Sequence, residues 1–161
     1  MVAIMDEALE LEMGHKVLEI GAGCGWHAAT VAEIVAPSNK PREKWGHVYT
    51  IERVGKLVEL ARNNLLEAGY GERVTVIVGD GSEGYATNAP YHRISVAAAA
   101  PYIPPPLKEQ LIDGGIMLIP VGSVGFYQTL ISLRRIGGEF QEENLGGVAF
   151  VPLVGKYGHR I

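Results

Sequence analysis

One cysteine, Cys24, is all the thiol this 161-residue chain carries, so no internal disulfide can staple its fold. Its small size between two glycines accounts for its presence, and no redox or nucleophilic role is assigned to it. No uncharged apolar run approaches the roughly 18 residues that a membrane span needs. The opening MVAIMDEALELEM also lacks the basic start and small-residue cleavage site of a secretory signal. These absences point to the cytoplasm and to no membrane contact. Basic residues are few and scattered, 14 Lys and Arg against 18 Asp and Glu, so no nucleic-acid partner is expected. His15, His27, His47, His92 and His159 show no paired spacing with one another or with the cysteine, and no metal site is expected.

What remains is an ordinary globular composition, 47% hydrophobic and 20% charged, which suits one domain over residues 1–161 with a core large enough to fold. The pattern alternates strand and helix. Apolar Met1, Ile4, Met5, Ala8 and Leu9 repeat at helical spacing with no capping residue before them, so an upstream portion is expected. Strand 16–20 leads into a helix from about 25 to 36, a proline loop, a strand at 47–52 and a helix at roughly 54–68 that stops at Gly69. Strands follow at 73–78 and 92–97, then a proline-opened helix near 104–113 and a strand at 115–121. The ending changes character. FYQTLISLRRI and EFQEENLGGVAFVPLV flank Gly137 and Gly138 and read as two antiparallel strands. The fold class is therefore α/β and Rossmann-like, a mostly parallel sheet with a C-terminal antiparallel hairpin.

The turn after the first strand carries the chemistry. VLEIGAGCGWHAA places Gly21, Gly23 and Gly25 at alternate positions, where glycine permits positive φ and close backbone approach to a ligand. The spacing is G-x-G-x-G, not the G-x-G-x-x-G of a pyrophosphate-binding dehydrogenase, and it favours an adenosine ligand without a diphosphate. Ligands of such sheets bind beyond the carboxyl ends of the strands. Three strand ends converge there: the glycine turn, Glu52, which can accept from both ribose hydroxyls, and Gly79-Asp80-Gly81, whose carboxylate can take the adenine amine. Each also has a plain reading as a turn or a solvated acid. Trp26 and Trp45 read as packing aromatics rather than adenine stackers, Glu142 and Glu143 as a solvated hairpin face, and Arg134 and Arg135 as alternating faces of a strand.

Several stretches taken together resemble the protein L-isoaspartate (D-aspartate) O-methyltransferase family. They are VLEIGAGCGWHAA, YTIERVGKLVELARNNL, GYGERVTVIVGDG, the AAAAP at 97–101 with IPPPLKEQL, GGIMLIPVG and VAFVPLVGKYG. The resemblance implies an S-adenosylmethionine-dependent methyltransferase fold and methyl transfer to the carboxylate of isoaspartyl residues in damaged proteins, with S-adenosylhomocysteine as the product. It implies that Gly21, Ala22, Gly23, Cys24 and Gly25 wrap the methionine part of the cofactor. Glu52 and Arg53 would meet the ribose, and Gly79, Asp80 and Gly81 the adenine. Ala99, Pro101 and Val154 fall near the substrate mouth. No catalytic base is implied, because a carboxylate with a pKa of about 3.9 is already ionised at neutral pH.

Family members carry a Ser-Ala-Pro-His-like motif before the first helix, and this chain starts at the Met that follows it. It is therefore expected to be an N-terminally short member. His92 stands where Asp is common and Ala97 where Thr is frequent. Other readings stay open: a cofactor-binding but inactive paralogue or interaction module, or a related methyltransferase acting on a nucleic-acid base or small molecule.

Overall fold

The computed structural model describes all 161 residues and builds them around one seven-stranded sheet. Strands β1 (Lys16–Ile20), β2 (His47–Glu52), β3 (Val74–Val78), β4 (Tyr91–Val96), β5 (Leu111–Val121), β6 (Gln128–Ile136) and β7 (Glu139–Val148) lie in the order 3-2-1-4-5-6-7. The first five run parallel, and β6 and β7 are antiparallel additions at one edge. The α/β class with its terminal hairpin is thus present. Four helices accompany the sheet: α1 (Val2–Ala8), α2 (Trp26–Val35), α3 (Gly55–Glu67) and α4 (Pro105–Glu109). After β3 the chain returns to the far side of β1, which makes the carboxyl end of β1 the topological switch point.

Strand periodicity decides which side chain faces which helix layer. Val17, Val48, Val74 and Val76 point to one face and pack against Val31 and Val35 of α2 and Val58, Ala61 and Leu65 of α3. Leu18, Ile20, Ile51, Ile94 and Met117 take the other face, against Leu107 of α4 and Leu153. Truncating one such leucine to alanine costs about 2–5 kcal/mol, because transfer free energy is lost and a cavity remains. Helix α3 ends in the way Gly69 suggests. Gly69 adopts φ +85°, its N–H reaches Leu66 O at 3.1 Å, and Tyr70 N–H reaches Leu65 O at 2.8 Å, the paired bonds of a Schellman stop.

Helix α1 has no side-chain cap and is held by its partners. Met5 and Leu9 pack on Leu118, Leu130 and Val148, and the buried Arg93 guanidinium donates to the carbonyls of Leu9 and Glu10. Glu10 and Arg134 add an ion pair at the edge.

Two boundaries differ from the sequence expectation. The helix expected over 104–113 ends at Glu109, because Tyr91 N–H bonds to Gln110 O at 2.8 Å and starts β5 at Leu111. Residues 112–115 then bulge out of register, with Gly114 at φ +82°. The last strand ends at Val148 instead of 154. There the Gln128 side chain accepts from Phe150 N–H at 2.8 Å and ends the ladder. Residues 151–153 instead form a strap over the strand ends: Ala99 N–H bonds to Val151 O at 2.7 Å and Leu153 N–H to Ala99 O at 2.8 Å.

Candidate functional site

At the switch point a cleft of about 440 Å³ opens over the strand ends. Its polar side is the turn after β1. Gly21 and Gly23 hold φ +94° and +54°, and nothing lies within 4 Å of where a Cβ on Gly23 would project. Glu52, the last residue of β2 and 8% exposed, fixes that turn from the side. Its Oε2 accepts from Gly23 N–H at 3.2 Å and its Oε1 from Val54 N–H at 3.0 Å. A carboxylate has about four accepting positions, so these two bonds orient Glu52 and leave capacity for a ligand. Arg53 borders the cleft and is exposed.

Ile51, Val54 and Leu57 make one apolar wall, Ala97 and Ala98 a shallow floor, and the 151–154 strap the opposite rim. Gly81 completes the lining. A Cβ there would sit 2.3 Å from Cγ2 of Ile20, so the close approach of the β3 end to β1 requires glycine. An apolar slot with one oriented carboxylate and a glycine turn fits a nucleoside bearing an amino-acid chain: rings against aliphatic walls, diol on the acid, main-chain groups along the tail.

Several expected residues lie elsewhere. Asp80 Oδ1 accepts from Ser82 N–H at 2.9 Å and Ser82 Oγ at 2.7 Å, and Oδ2 accepts from Lys156 N–H at 2.8 Å. These bonds latch residues 155–157 onto the end of β3 and hold the Asp80 carboxyl below the usual carboxylate range, the bonds from Lys156 and Ser82 outweighing burial. Asp80 and Gly79 do not line the cleft, nor do Ala22, Cys24 and Gly25. Cys24 and Gly25 face a separate hollow of about 720 Å³ between α2 and α3, beside the exposed Trp26. That hollow is larger, but it lies away from the switch point, and Glu33, its one charged residue, is already paired with Arg73 at 2.8 Å. Trp45 packs as expected, donating to Pro37 O and Lys40 O, whereas Trp26, expected to pack likewise, stands 68% exposed at the start of α2. Of the substrate-mouth residues, Val154 lines the cleft, Ala99 lies buried under the strap, and Pro101 faces another part of the surface with Tyr102 and Ile103.

Behind the glycine turn lies a buried polar group that sequence reading missed. Glu19 stands in register with Thr50 and Ser95 across β2, β1 and β4, and all three are at most 1% exposed. Neither Glu19 oxygen nor either hydroxyl has a hydrogen-bond partner. His27 of α2 lies between Glu19, 3.6 Å away, and Asp6 of α1, 2.7 Å away. Burial pushes the Glu19 carboxyl up to about 7, with Asp6 and Glu52 adding to the rise and His27 and Thr50 opposing it. Desolvation works against a charged His27, but the Asp6 hydrogen bond and the Glu19 and Asp6 charges prevail and raise its pKa. The signal for this cluster was an acid inside an apolar strand, LEI, where the two-residue period points Glu19 inward.

An open, mostly parallel sheet whose first βα turn is glycine-rich, with an acid ending the second strand and a cleft over the strand ends, defines a domain of the S-adenosylmethionine-dependent methyltransferase class. The chain belongs to the protein-L-isoaspartate(D-aspartate) O-methyltransferase family, whose model matches residues 1–158. A protein-L-isoaspartate O-methyltransferase of Hyperthermus butylicus is 56% identical over 160 residues, which cover 99% of this chain and 66% of that protein. A solved protein-L-isoaspartate O-methyltransferase superposes with a TM-score of 0.86 at 28% identity, covering 98% of this chain and 47% of that one. A Geobacter sulfurreducens S-adenosylmethionine-dependent methyltransferase, solved in complex with S-adenosyl-L-homocysteine, matches at a TM-score of 0.58 and 26% identity over 73% of this chain and 46% of that one. The chain thus spans about two thirds of the Hyperthermus relative and about half of each of the two solved chains.

Proposed function

We propose that this chain, as one methyltransferase domain, binds S-adenosylmethionine in the strand-end cleft. It transfers the methyl group to the carboxylate of L-isoaspartyl (D-aspartyl) residues in damaged proteins, the first step of their repair. The observation that carries the reading is the oriented Glu52 carboxylate, hydrogen-bonded to Gly23 at the switch point of a chain belonging to this family. Isoaspartyl-containing polypeptides are then the partners, and the cytoplasm is the location that goes with them.

When bound, S-adenosylmethionine supplies an electrophilic methyl on a sulfonium. Glu52 accepts from the ribose hydroxyls with the positions that Gly23 and Val54 leave free, and Arg53 closes the ribose side. Gly21 and Gly23 would present main-chain groups to the amino-acid tail and Gly81 would border the adenine, while Asp80 holds residues 155–157 in place beside them. Val54 and Leu57 wall the rings.

The acceptor is an ionised carboxylate at neutral pH, so the site needs no general base. The chain's contribution is placement in line with the methyl, which in favourable cases lowers a barrier by about 7–11 kcal/mol, together with exclusion of water. The strap borders this space: Ala99 fixes its backbone and Val154 presents an apolar rim.

Transfer of labelled methyl to an isoaspartyl peptide and to its normal aspartyl twin tests the reading. Base-labile methyl ester on the first peptide alone is the expected result. S-adenosylhomocysteine binding without transfer to either peptide would favour a cofactor-binding module instead.

A further inference from the structure

Two neighbouring aromatic rings stand almost bare at the strand-end face, Phe126 at 76% exposure and Tyr127 at 85%. They belong to the turn between β5 and β6, whose sequence Ser123-Val-Gly-Phe-Tyr127 carries no charge. The turn is anchored at both ends. Gly122 N–H bonds to Ala100 O at 2.9 Å, and Gln128 Nε2 donates to Phe126 O at 2.8 Å while its Oε1 accepts from Phe150 N–H. Phe126 and Tyr127 therefore share a shallow hollow with Ala149 and Phe150. The next residue, Val151, is 70% exposed and already lines the cofactor cleft. Phe150 of that hollow and Val151 of the cleft are consecutive residues, so the chain carries an apolar ledge from the cleft to the two rings.

We propose that this ledge receives the substrate polypeptide, with Phe126 and Tyr127 gripping an apolar side chain close in sequence to the methylated residue. The proposal rests on the methyl-transfer reading. An acceptor carboxylate that belongs to a polypeptide obliges the chain on either side of it to leave the cleft along the strand-end face, and the ledge is continuous with that cleft. Its size favours this occupant over a second copy of the protein. Two aromatic side chains bury about 150–250 Å² each, well short of the roughly 800 Å² per partner of a stable interface. The patch thus matches one or two side chains of a transiently bound segment. Its lack of charge adds a preference: peptides with an apolar residue near the isoaspartate are favoured over those with acidic or glycine-rich flanks.

The test is steady-state methylation of matched isoaspartyl peptides, one set with Leu or Phe placed at successive positions around the isoaspartate and one with Gly and Ser throughout. The proteins compared are the natural chain, a Phe126→Ala/Tyr127→Ala variant and a Phe126→Leu/Tyr127→Phe variant. Both rings are exposed, so the substitutions leave the core intact. The alanine variant is expected to raise KM roughly tenfold for the best apolar-flanked peptide. It should leave kcat, S-adenosylhomocysteine affinity and the Gly/Ser peptide unchanged, and the conservative variant should restore most of the loss. Equal KM values for the natural chain and the alanine variant, or an equal rise for both peptide sets, would overturn the proposal while the methyl-transfer reading stands. No turnover of any peptide by the natural chain would overturn both.

Discussion

Glu19 makes the protein's stability depend on pH in a direction that a surface acid would not. Burial pushes its folded carboxyl up from 4.5 to about 7, with His27 and Thr50 opposing the rise. Below pH 4.5 both folded and unfolded chains hold the proton, and the group adds no pH dependence. Between 4.5 and about 7 the unfolded chain releases the proton while the folded chain keeps it, so stability falls as pH rises. At about 1.4 kcal/mol per pH unit the accumulated loss is about 3 kcal/mol, complete just above neutrality. The neighbouring His27 acts in the same direction, because its raised pKa gives stability that is present below 6.5 and lost as pH climbs through the folded value.

Glu19→Gln removes the carboxyl's own titration. The amide resembles the protonated acid and cannot ionise, so the variant loses the Glu19 dependence and the part of the His27 rise that the Glu19 charge supplies, and keeps the part that comes from Asp6. Denaturant unfolding at pH 5 and pH 8 should find the two proteins within about 1 kcal/mol of each other at pH 5, and the variant more stable by about 2–3 kcal/mol at pH 8. Parallel pH profiles for the two proteins would refute the assignment of a buried, proton-holding Glu19.

Other substitutions report on the cleft and its supports. Gly81→Ala puts a methyl 2.3 Å from Ile20 Cγ2, and an overpacking cost of about 1–3 kcal/mol should appear in thermal unfolding, with weaker nucleoside binding. Gly155→Ala drives a Cβ to 2.0 Å from Asp80 Oδ1 and should release the C-terminal latch, read as faster proteolysis after residue 150 with the sheet intact. Leu118→Ala, beneath α1, should cost about 2–5 kcal/mol, measurable as a lower unfolding midpoint with S-adenosylhomocysteine affinity nearly unchanged.

The strand-helix alternation and the place of the ligand cleft were legible because both have local causes. Gly21 and Gly23 are glycines because the backbone there has positive φ, and Glu52 ends a strand beside them because the sheet is parallel. The misplaced boundaries have distant causes. Helix α4 is cut short by the bond from Tyr91 to Gln110, and β7 by the Gln128 side chain, neither of which a local pattern encodes. The same holds for Asp80, whose oxygens are engaged by residues as distant in sequence as Lys156. The buried Glu19–His27–Asp6 group joins three separate elements and becomes visible only once α1 and α2 are packed together.

The central claim is that the strand-end cleft holds S-adenosylmethionine through Glu52. Calorimetric titration of the natural chain and of Glu52→Ala with S-adenosylhomocysteine tests it most directly. The account predicts one site per chain and a loss of at least tenfold in affinity on substitution, since each hydrogen bond to a charged group contributes about 1.5–3 kcal/mol. No binding by the natural chain, or equal binding by the folded variant, would contradict it.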